Sequence, residues 1–251
     1  MDSASINICI VSYRDKRIVE TINNAYNKAA LKDRIKFFVT IQDSYHYKVK
    51  KTEKDFINYL PWDNFEGFAT QRFAITSYIP AEEYILFVSS ATEFTDEWDI
   101  KILNNIKSNK IKSIKNSFSV DGTFIKKQDL DIFGYPHYLR LMGEEEDLSI
   151  RAFCNGYDFE NSLLEIINIL DKKEHDYIPF SKTHNYDQVQ SLYDAGSNKF
   201  INLIGLQRNF KEYALINPIK KIYHQLNDVE YLRHQIGELQ RDRFYTHGSR
   251  I

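Results

Sequence analysis

The chain opens with a strand-like run, an amphipathic helix and a second strand-like run in immediate succession. Ile6-Asn7-Ile8-Cys9-Ile10-Val11 is a β-branched, apolar stretch of strand length. From Lys16 to Ala30 the period changes. Ile18, Ile22, Tyr26 and Ala29 fall on one helical face, with charged and amide side chains opposite. Ile35-Lys36-Phe37-Phe38-Val39-Thr40-Ile41 is strand-like again. Strands joined through a helix pair in parallel by a crossover, so this order predicts an α/β fold with a mainly parallel sheet flanked by helices. Asp15 stands just before the helix, where its carboxylate is expected to cap the first turn.

Further along, Ser44 to Lys54 reads as a polar loop, Gly67 to Tyr78 as a helix and Glu83 to Val88 as a strand after the Pro80 breaker. Trp98 to Ile106 reads as a helix started by Asp96-Glu97. Lys110 to Leu141 reads as strand and turn, with Asp121-Gly122 expected to turn a hairpin between Phe118 and Phe124. Glu145 to Asn155 is expected to be a helix closed by Gly156 in a left-handed conformation. Leu163 to Leu170 fits either strand or helix. Val229, Leu232, Ile236 and Leu239 form a short heptad-like seam on a long C-terminal helix. The expected organisation is a single domain over 1–219, with halves at about 1–106 and 107–219, followed by a helix and tail over 220–251.

Composition excludes several classes. With 251 residues, 43% hydrophobic and 14% aromatic, the chain buries a substantial core and is not disordered. A net charge of −2 gives no pull toward nucleic acid or anionic membrane. The four lysines from Lys107 to Lys115 lack interleaved aromatics and read as a solvated surface. No apolar run reaches the length of a membrane helix, and no signal segment precedes Ile6, so a cytoplasmic location is expected. Two cysteines make no disulfide framework, and Cys9 and Cys154 both read as core. Nine glycines contain neither a P-loop nor a G-x-G-x-x-G.

Three segments together carry a resemblance. Ser12-Tyr13-Arg14-Asp15 follows the first strand. Gly67, Arg72, Glu82, Tyr84, Trp98 and Asp99 recur in order across the next third. Gly143-Glu144-Glu145-Glu146-Asp147-Leu148-Ser149-Ile150-Arg151 runs on to Asn155-Gly156-Tyr157-Asp158-Phe159, and Gly205, Arg208 and Tyr213 add a late element. In this arrangement the chain resembles the cytosolic N-acetylglucosaminyltransferases that modify hydroxyproline on target proteins, and their bacterial and viral relatives. The resemblance spans about Ile6 to Ile216. It implies a nucleotide-sugar-binding GT-A fold, a sheet of Rossmann type with a donor half and an acceptor half. A ligand in such folds lies at the carboxyl ends of the parallel strands, which implies donor contacts from Ser12, Arg14, Asp15, Gln42, Arg72 and Ser89. It implies catalytic or acceptor-side roles for Glu144, Glu145 or Glu146, since clustered carboxylates raise one another's pKa for acid–base work. The same acidic residues also suit a helix start through its dipole.

One departure stands out. Where the resembled family has an Asp-x-His that holds a divalent cation, Mn2+ or Mg2+, against the donor diphosphate, this chain has Ser89-Ser90-Ala91. A serine hydroxyl is a weak neutral ligand and a methyl group is none, whereas hard cations take charged oxygens. If the strand continues past Val88, Ser89, Ala91 and Glu93 share a side, which would make Glu93 a substitute ligand. His175 is the nearest counterpart to a late metal-binding histidine of that family. Alternatively, Arg14, Arg72 or the lysines from Lys48 to Lys51 would hold the diphosphate without metal.

Two functions of different class follow. The first is an enzyme that transfers a sugar from a nucleotide-sugar donor to a hydroxyl on a protein or other macromolecule. The second is a non-catalytic assembly or interaction factor on the same fold. That factor, of a kind used in tailed-phage virion or baseplate assembly in the host cytoplasm, would bind protein partners through the Val229, Leu232, Ile236 and Leu239 seam.

Overall fold

A computed structural model describes residues 5–61, 67–104, 106, 109–136 and 144–170. Its main feature is a seven-stranded sheet of spatial order β3-β2-β1-β4-β7-β6-β8. The strands are β1 (Ile6–Tyr13), β2 (Ile35–Gln42), β3 (Phe56–Leu60), β4 (Tyr84–Val88), β6 (Lys110–Ser113), β7 (Gly122–Lys126) and β8 (Asp158–Asn161). β1 pairs in parallel with both β2 and β4, and β2 pairs in parallel with β3. β7 runs antiparallel to β4 and β6, and β6 pairs in parallel with β8. A two-stranded antiparallel ribbon joins β5 (Thr92–Phe94) to β9 (Ile167–Ile169).

Helices cover both faces. Ile6, Ile8 and Ile10 of β1 and Phe37, Val39 and Ile41 of β2 pack with Ile18, Ile22 and Ala25 of α1 (Ile18–Lys28) and Trp98 and Ile102 of α3 (Trp98–Leu103). On the opposite face, Cys9, Phe38, Ile85 and Phe87 pack with Ala69 and Ile75 of α2 (Phe68–Thr76). Leu130 and Phe133 of α4 (Lys127–Phe133) and Leu148 and Ala152 of α5 (Glu144–Cys154) join that second core. A strand buried on both faces needs apolar residues at successive positions, which explains why β1 reads as an almost unbroken apolar run.

The connection from β1 to β2 passes through α1 on one face, and the connection that leads into β4 passes through α2 on the other. The chain therefore reverses its direction of travel at β1, with β2 on one flank and β4 on the other. That makes the crevice outside the carboxyl ends of β1 and β4 the topological switch point.

Several expectations need correction. The segment 110–141 is not all strand and turn: α4 occupies Lys127–Phe133. Asp121-Gly122 does not turn a tight hairpin. β6 pairs with β7 through Lys112↔Phe124 and Ser113↔Thr123, and residues 114–121 form the connection. Gly122 is instead the first residue of β7, where the Ile114 side chain fills the space a Cβ would take. Asp15 is two residues too early to be the cap of α1, whose N-cap is Arg17. α3 stops at Leu103 because Asn104 is extended, and Lys112 Nζ donates to the Ile102 and Asn104 carbonyls at 2.9 and 2.6 Å. Lys112 is therefore buried rather than solvated. The C-terminal seam at Val229, Leu232, Ile236 and Leu239, His175, Arg208, Tyr213 and the boundary at 219 lie outside the described residues.

Trp98 and Asp99 are structural. Trp98 Nε1 donates to the Ala25 carbonyl at 2.8 Å. The buried Asp99 carboxylate accepts from the Ala30 and Leu31 amides at 2.8 and 2.7 Å, closing the exit of α1. Gly156 has φ +84 after α5, the left-handed residue that lets the Tyr157 amide reach back to the Ala152 carbonyl. Among the described residues, no helix is long and apolar enough to cross a membrane.

Candidate functional site at the strand switch point

The switch-point crevice is built from the ends of three parallel strands. Tyr13 of β1 lies level with Gln42 of β2, and Gln42 with Leu60 of β3. Past Tyr13 the chain turns sharply. Arg14 takes φ +48, and its amide donates to the Gln42 carbonyl at 3.0 Å. Ser12 is buried, and its Oγ donates to the Asp15 carbonyl at 3.1 Å, which closes the turn. Gln42, also buried, donates from Nε2 to the Pro61 carbonyl at 3.1 Å. Both Ser12 and Gln42 shape the edge from below, while Arg14 and Lys16 are exposed above it.

Asp15 is the centre of this edge. Its Oδ1 accepts from the Arg17 amide at 3.1 Å and from Arg17 Nε at 2.9 Å. Its Oδ2 accepts from Arg17 Nη2 at 2.8 Å and from Ser90 Oγ at 2.7 Å. The partner of Asp15 is thus Arg17, not Arg14. Burial alone would raise the Asp15 pKa, but the hydrogen bonds from Arg17 and Ser90 outweigh it and hold the carboxyl below its ordinary value. The Ser90 contact ties the end of β1 directly to the turn after β4.

That turn is closed on itself. β4 ends at Val88, and β5 starts only at Thr92. The strand does not persist, so Ser89, Ala91 and Glu93 do not share a side. Ser89 Oγ lies 3.0 Å from Thr92 Oγ1, and Ser90 offers its carbonyl to Thr21 Oγ1 at 2.8 Å. The Thr92 amide donates to the same Thr21 Oγ1 at 3.0 Å. Ala91 is 1% exposed and Glu93 is exposed opposite Asn168 in the β5–β9 ribbon. As a divalent-cation site this donor set does not fit. Asp15 has its lone pairs taken by four donors, Ser89 and Ser90 are neutral and engaged, and Glu93 faces away. Among the described residues, no three His, Cys, Asp or Glu side chains converge.

Beside the crevice, the carboxylate of Asp43 follows β2 and accepts from Tyr47 Oη at 3.0 Å and the Tyr45 amide at 3.3 Å. Burial and then Asp43 push the Tyr47 phenol up to about 12. His46 stacks on Tyr59 with ring centroids 4.7 Å apart.

Arg72 and Glu144 meet elsewhere, on the α2 face of the sheet. Arg72 Nη1 contacts Glu144 Oε2 at 2.5 Å, and Tyr135 Oη donates to Glu144 Oε1. The ion pair is buried, with side-chain exposures of 11% and 9%. Burial, the largest influence, raises the Glu144 pKa, and Arg72 opposes it. Glu145 differs. It is half-buried, accepts from Ser119 Oγ at 3.0 Å and the Val120 amide at 2.9 Å through Oε1, and meets Lys115 Nζ at 3.1 Å through Oε2. Glu146 belongs to α5, and its side chain lies outside the description. Arg151 pairs with Asp147 one turn back and donates to the Phe133 carbonyl at 3.2 Å. Cys9 is buried, and burial pushes its thiol far above the ordinary range, which leaves it inert.

Sequence reasoning missed Arg17, Tyr135, Asp43 and the bond from Ser90 to Asp15. Arg17 had a signal, its position two residues after Asp15 in a pre-helical turn. Ser90 had none, because its role depends on a contact across 75 residues.

A scan against protein-family models finds no match to this sequence, and a search of curated protein sequences finds none either. Comparison with solved structures does find likeness. TarS of S. aureus, residues 1–349 in complex with UDP-GlcNAc, superposes with a TM-score of 0.54 at 12% identity, over 78% of this chain and 68% of that one. GalNAc-T7 with UDP, GalNAc and Mn2+ superposes with a TM-score of 0.50 at 10% identity, over 63% of this chain. The match spans 42% of the GalNAc-T7 chain. At such identities the likeness concerns architecture: this chain has the mixed, mainly parallel sheet and flanking helices of the GT-A glycosyltransferases.

Proposed function

We propose that the protein binds a nucleotide sugar in the crevice outside β1 and β4 and transfers the sugar to a hydroxyl of a macromolecule, a protein by the resemblance in its sequence. The observation that carries this reading is the convergence of Ser12 to Asp15, Gln42 and Ser89 on one sheet edge at the switch point of a GT-A-like fold. Ligands of open α/β sheets bind at that position. Support also comes from two structures of similar fold, TarS with UDP-GlcNAc and GalNAc-T7 with UDP.

Within this reading the residues divide the work. Arg14 and Lys16, exposed beside the crevice, face the diphosphate. Ser12, Asp15 and Gln42 fix the loop that presents them. Of the three glutamates, Glu144 is committed to Arg72. Glu145 has one oxygen held by Ser119 and Val120, and its other meets Lys115, whose side chain is 49% exposed. An exposed pair of that kind opens at little cost. Glu145 is therefore the carboxylate suited to take the proton of an acceptor hydroxyl, with Glu146 beside it in sequence. Arg72 acts through Glu144, by anchoring the start of α5.

Calorimetry with UDP-GlcNAc and a panel of related sugar nucleotides, with and without Mn2+, tests this directly, together with a donor-hydrolysis assay. Saturable heat with donor turnover, lost in Glu145→Gln, is expected. Heat without turnover would favour the second reading, a binding or assembly protein on a glycosyltransferase frame. That reading draws on the internal engagement of Asp15 and Glu144. No heat with any nucleotide would end the donor reading.

A further inference from the structure

The crevice has a feature that the fold alone does not require. Its central carboxylate is clamped by an arginine from its own turn and by a serine from the turn across the crevice. We propose that this edge carries its cationic charge in the chain itself, with Arg17 seated on Asp15, the carboxylate that Ser90 ties to the turn after β4, so that a diphosphate binds here without Mn2+ or Mg2+. The inference rests on the nucleotide-sugar reading for its ligand, and on the geometry of Asp15 for its metal claim.

Three observations converge. First, both Asp15 oxygens are saturated. A carboxylate offers about four lone-pair directions, and the Arg17 amide, Nε, Nη2 and Ser90 Oγ take them at 2.7 to 3.1 Å. A metal entering would have to expel a two-pronged guanidinium, the strongest class of partner for a carboxylate. Second, the turn after β4 offers nothing in exchange. Ser89 and Ser90 are held by Thr92, Thr21 and Asp15, and Ala91 contributes only a buried methyl. Third, the charge at the end of β1 is already that of an anion site. Within four consecutive residues Arg14, Lys16 and Arg17 stand against Asp15, with the Asp43 carboxylate beside them at the end of β2 and Glu20 one turn into α1. Arg14 and Lys16 are exposed there, and Arg14 is held in place by its left-handed backbone and its bond to Gln42. Cationic side chains neutralise a leaving diphosphate by charge and hydrogen bonding, as a metal does by coordination.

The experiment uses the full chain in two arms. In the first, Mn2+ is titrated into protein without nucleotide and free Mn2+ is followed by its electron paramagnetic resonance signal. The wild type should leave the signal unchanged. Arg17→Ala, which uncovers Asp15, should show weak Mn2+ uptake that the Arg17→Ala/Asp15→Asn double variant lacks. In the second, UDP and UDP-GlcNAc affinity is measured in EDTA and in Mn2+. Equal affinities are expected, falling about tenfold in EDTA for Arg17→Ala and much less for Arg17→Lys, which keeps the charge. Stoichiometric Mn2+ uptake by the wild type would overturn the inference, as would nucleotide binding abolished by EDTA. Should no nucleotide bind under any condition, the nucleotide-sugar reading fails, while the first arm still decides whether Asp15 is closed to metal. If Arg17→Ala does not fold, Arg17→Gln serves. It keeps the side-chain length, removes the charge, and should lose affinity in EDTA as Arg17→Ala does.

Discussion

Two of the carboxylates held by an arginine, Asp15 and Glu144, behave in opposite ways. Asp15, at the sheet edge, receives four donors, and its pKa falls. Glu144, inside the α2 face, receives Arg72 and Tyr135, and its pKa rises because burial outweighs them. The contrast teaches that an ion pair's identity says little about its role. Both side chains are less than a tenth exposed, so the number of donors and the depth of protein around the group decide whether a charge is a fixed feature of an edge or a costly group kept inside for positioning.

The comparison breaks most visibly by removing one partner. Glu144→Ala leaves the Arg72 guanidinium buried without a counter-charge and should cost about 3–5 kcal/mol in urea denaturation. Replacing both, as Arg72→Met with Glu144→Leu, should recover most of that loss. An additive double variant would show that the pair is not the unit. Asp15→Ala should cost less, about 1–3 kcal/mol, because the Arg17 it releases is 19% exposed against 11% for Arg72 and lies at the edge, where it turns to water.

The pH dependence separates the two further. Asp15 has a depressed pKa, so its contribution is present above the ordinary aspartate range, near 4, and is lost as pH falls through the lower folded value. Glu144 has a raised pKa, so the folded state holds its proton more tightly. Its ionisation costs stability as pH rises from the ordinary glutamate range to the folded value. Against Asp15→Asn the wild type should therefore lose its advantage on acidification. Against Glu144→Gln it should lose stability as pH rises above about 4.3. Identical pH profiles for the two variants would contradict the assignment. The smallest effect belongs to Glu93→Gln. Exposed on the β5–β9 ribbon, Glu93 should change stability by no more than about 0.5 kcal/mol, and Glu93→Gln should leave the free Mn2+ signal as unchanged as the wild type does.

Much of the frame was legible in the sequence. β1, α1 and β2 follow from an apolar run, a helical stripe and a second apolar run, because strands buried on both faces have almost no other way to be written. Gly156 announced the end of α5 for the same kind of local reason. The edge strands were not legible. Phe-Ile-Asn-Tyr-Leu of β3 is half-buried throughout with no inward–outward alternation, and Asp-Phe-Glu-Asn of β8 is polar, so pairing with their neighbours defines both strands. α4 was hidden because Lys127 to Phe133 is seven residues long and starts without a capping side chain, leaving only Gly134 at its end as a signal. At the site, the sequence pointed to Asp15 and Ser89 but not to the Arg17 clamp or to Ser90. Which hydroxyl turns toward Asp15 is settled by the tight turn after β4, where one residue's difference exchanges the inward and outward side chains. Arg72 and Glu144, named from separate motifs, meet across 72 residues, a contact that no spacing within either motif encodes.

The central claim is that the crevice between β1 and β4 is where a nucleotide sugar binds. Hydrogen–deuterium exchange of the full chain with and without saturating UDP-GlcNAc, in EDTA, tests it most directly. The account predicts new protection confined to the turn from Tyr13 to Arg17, the end of β2 at Gln42 and Asp43, and the turn from Ser89 to Ala91. Protection elsewhere with this edge unchanged, or none at all, would contradict it.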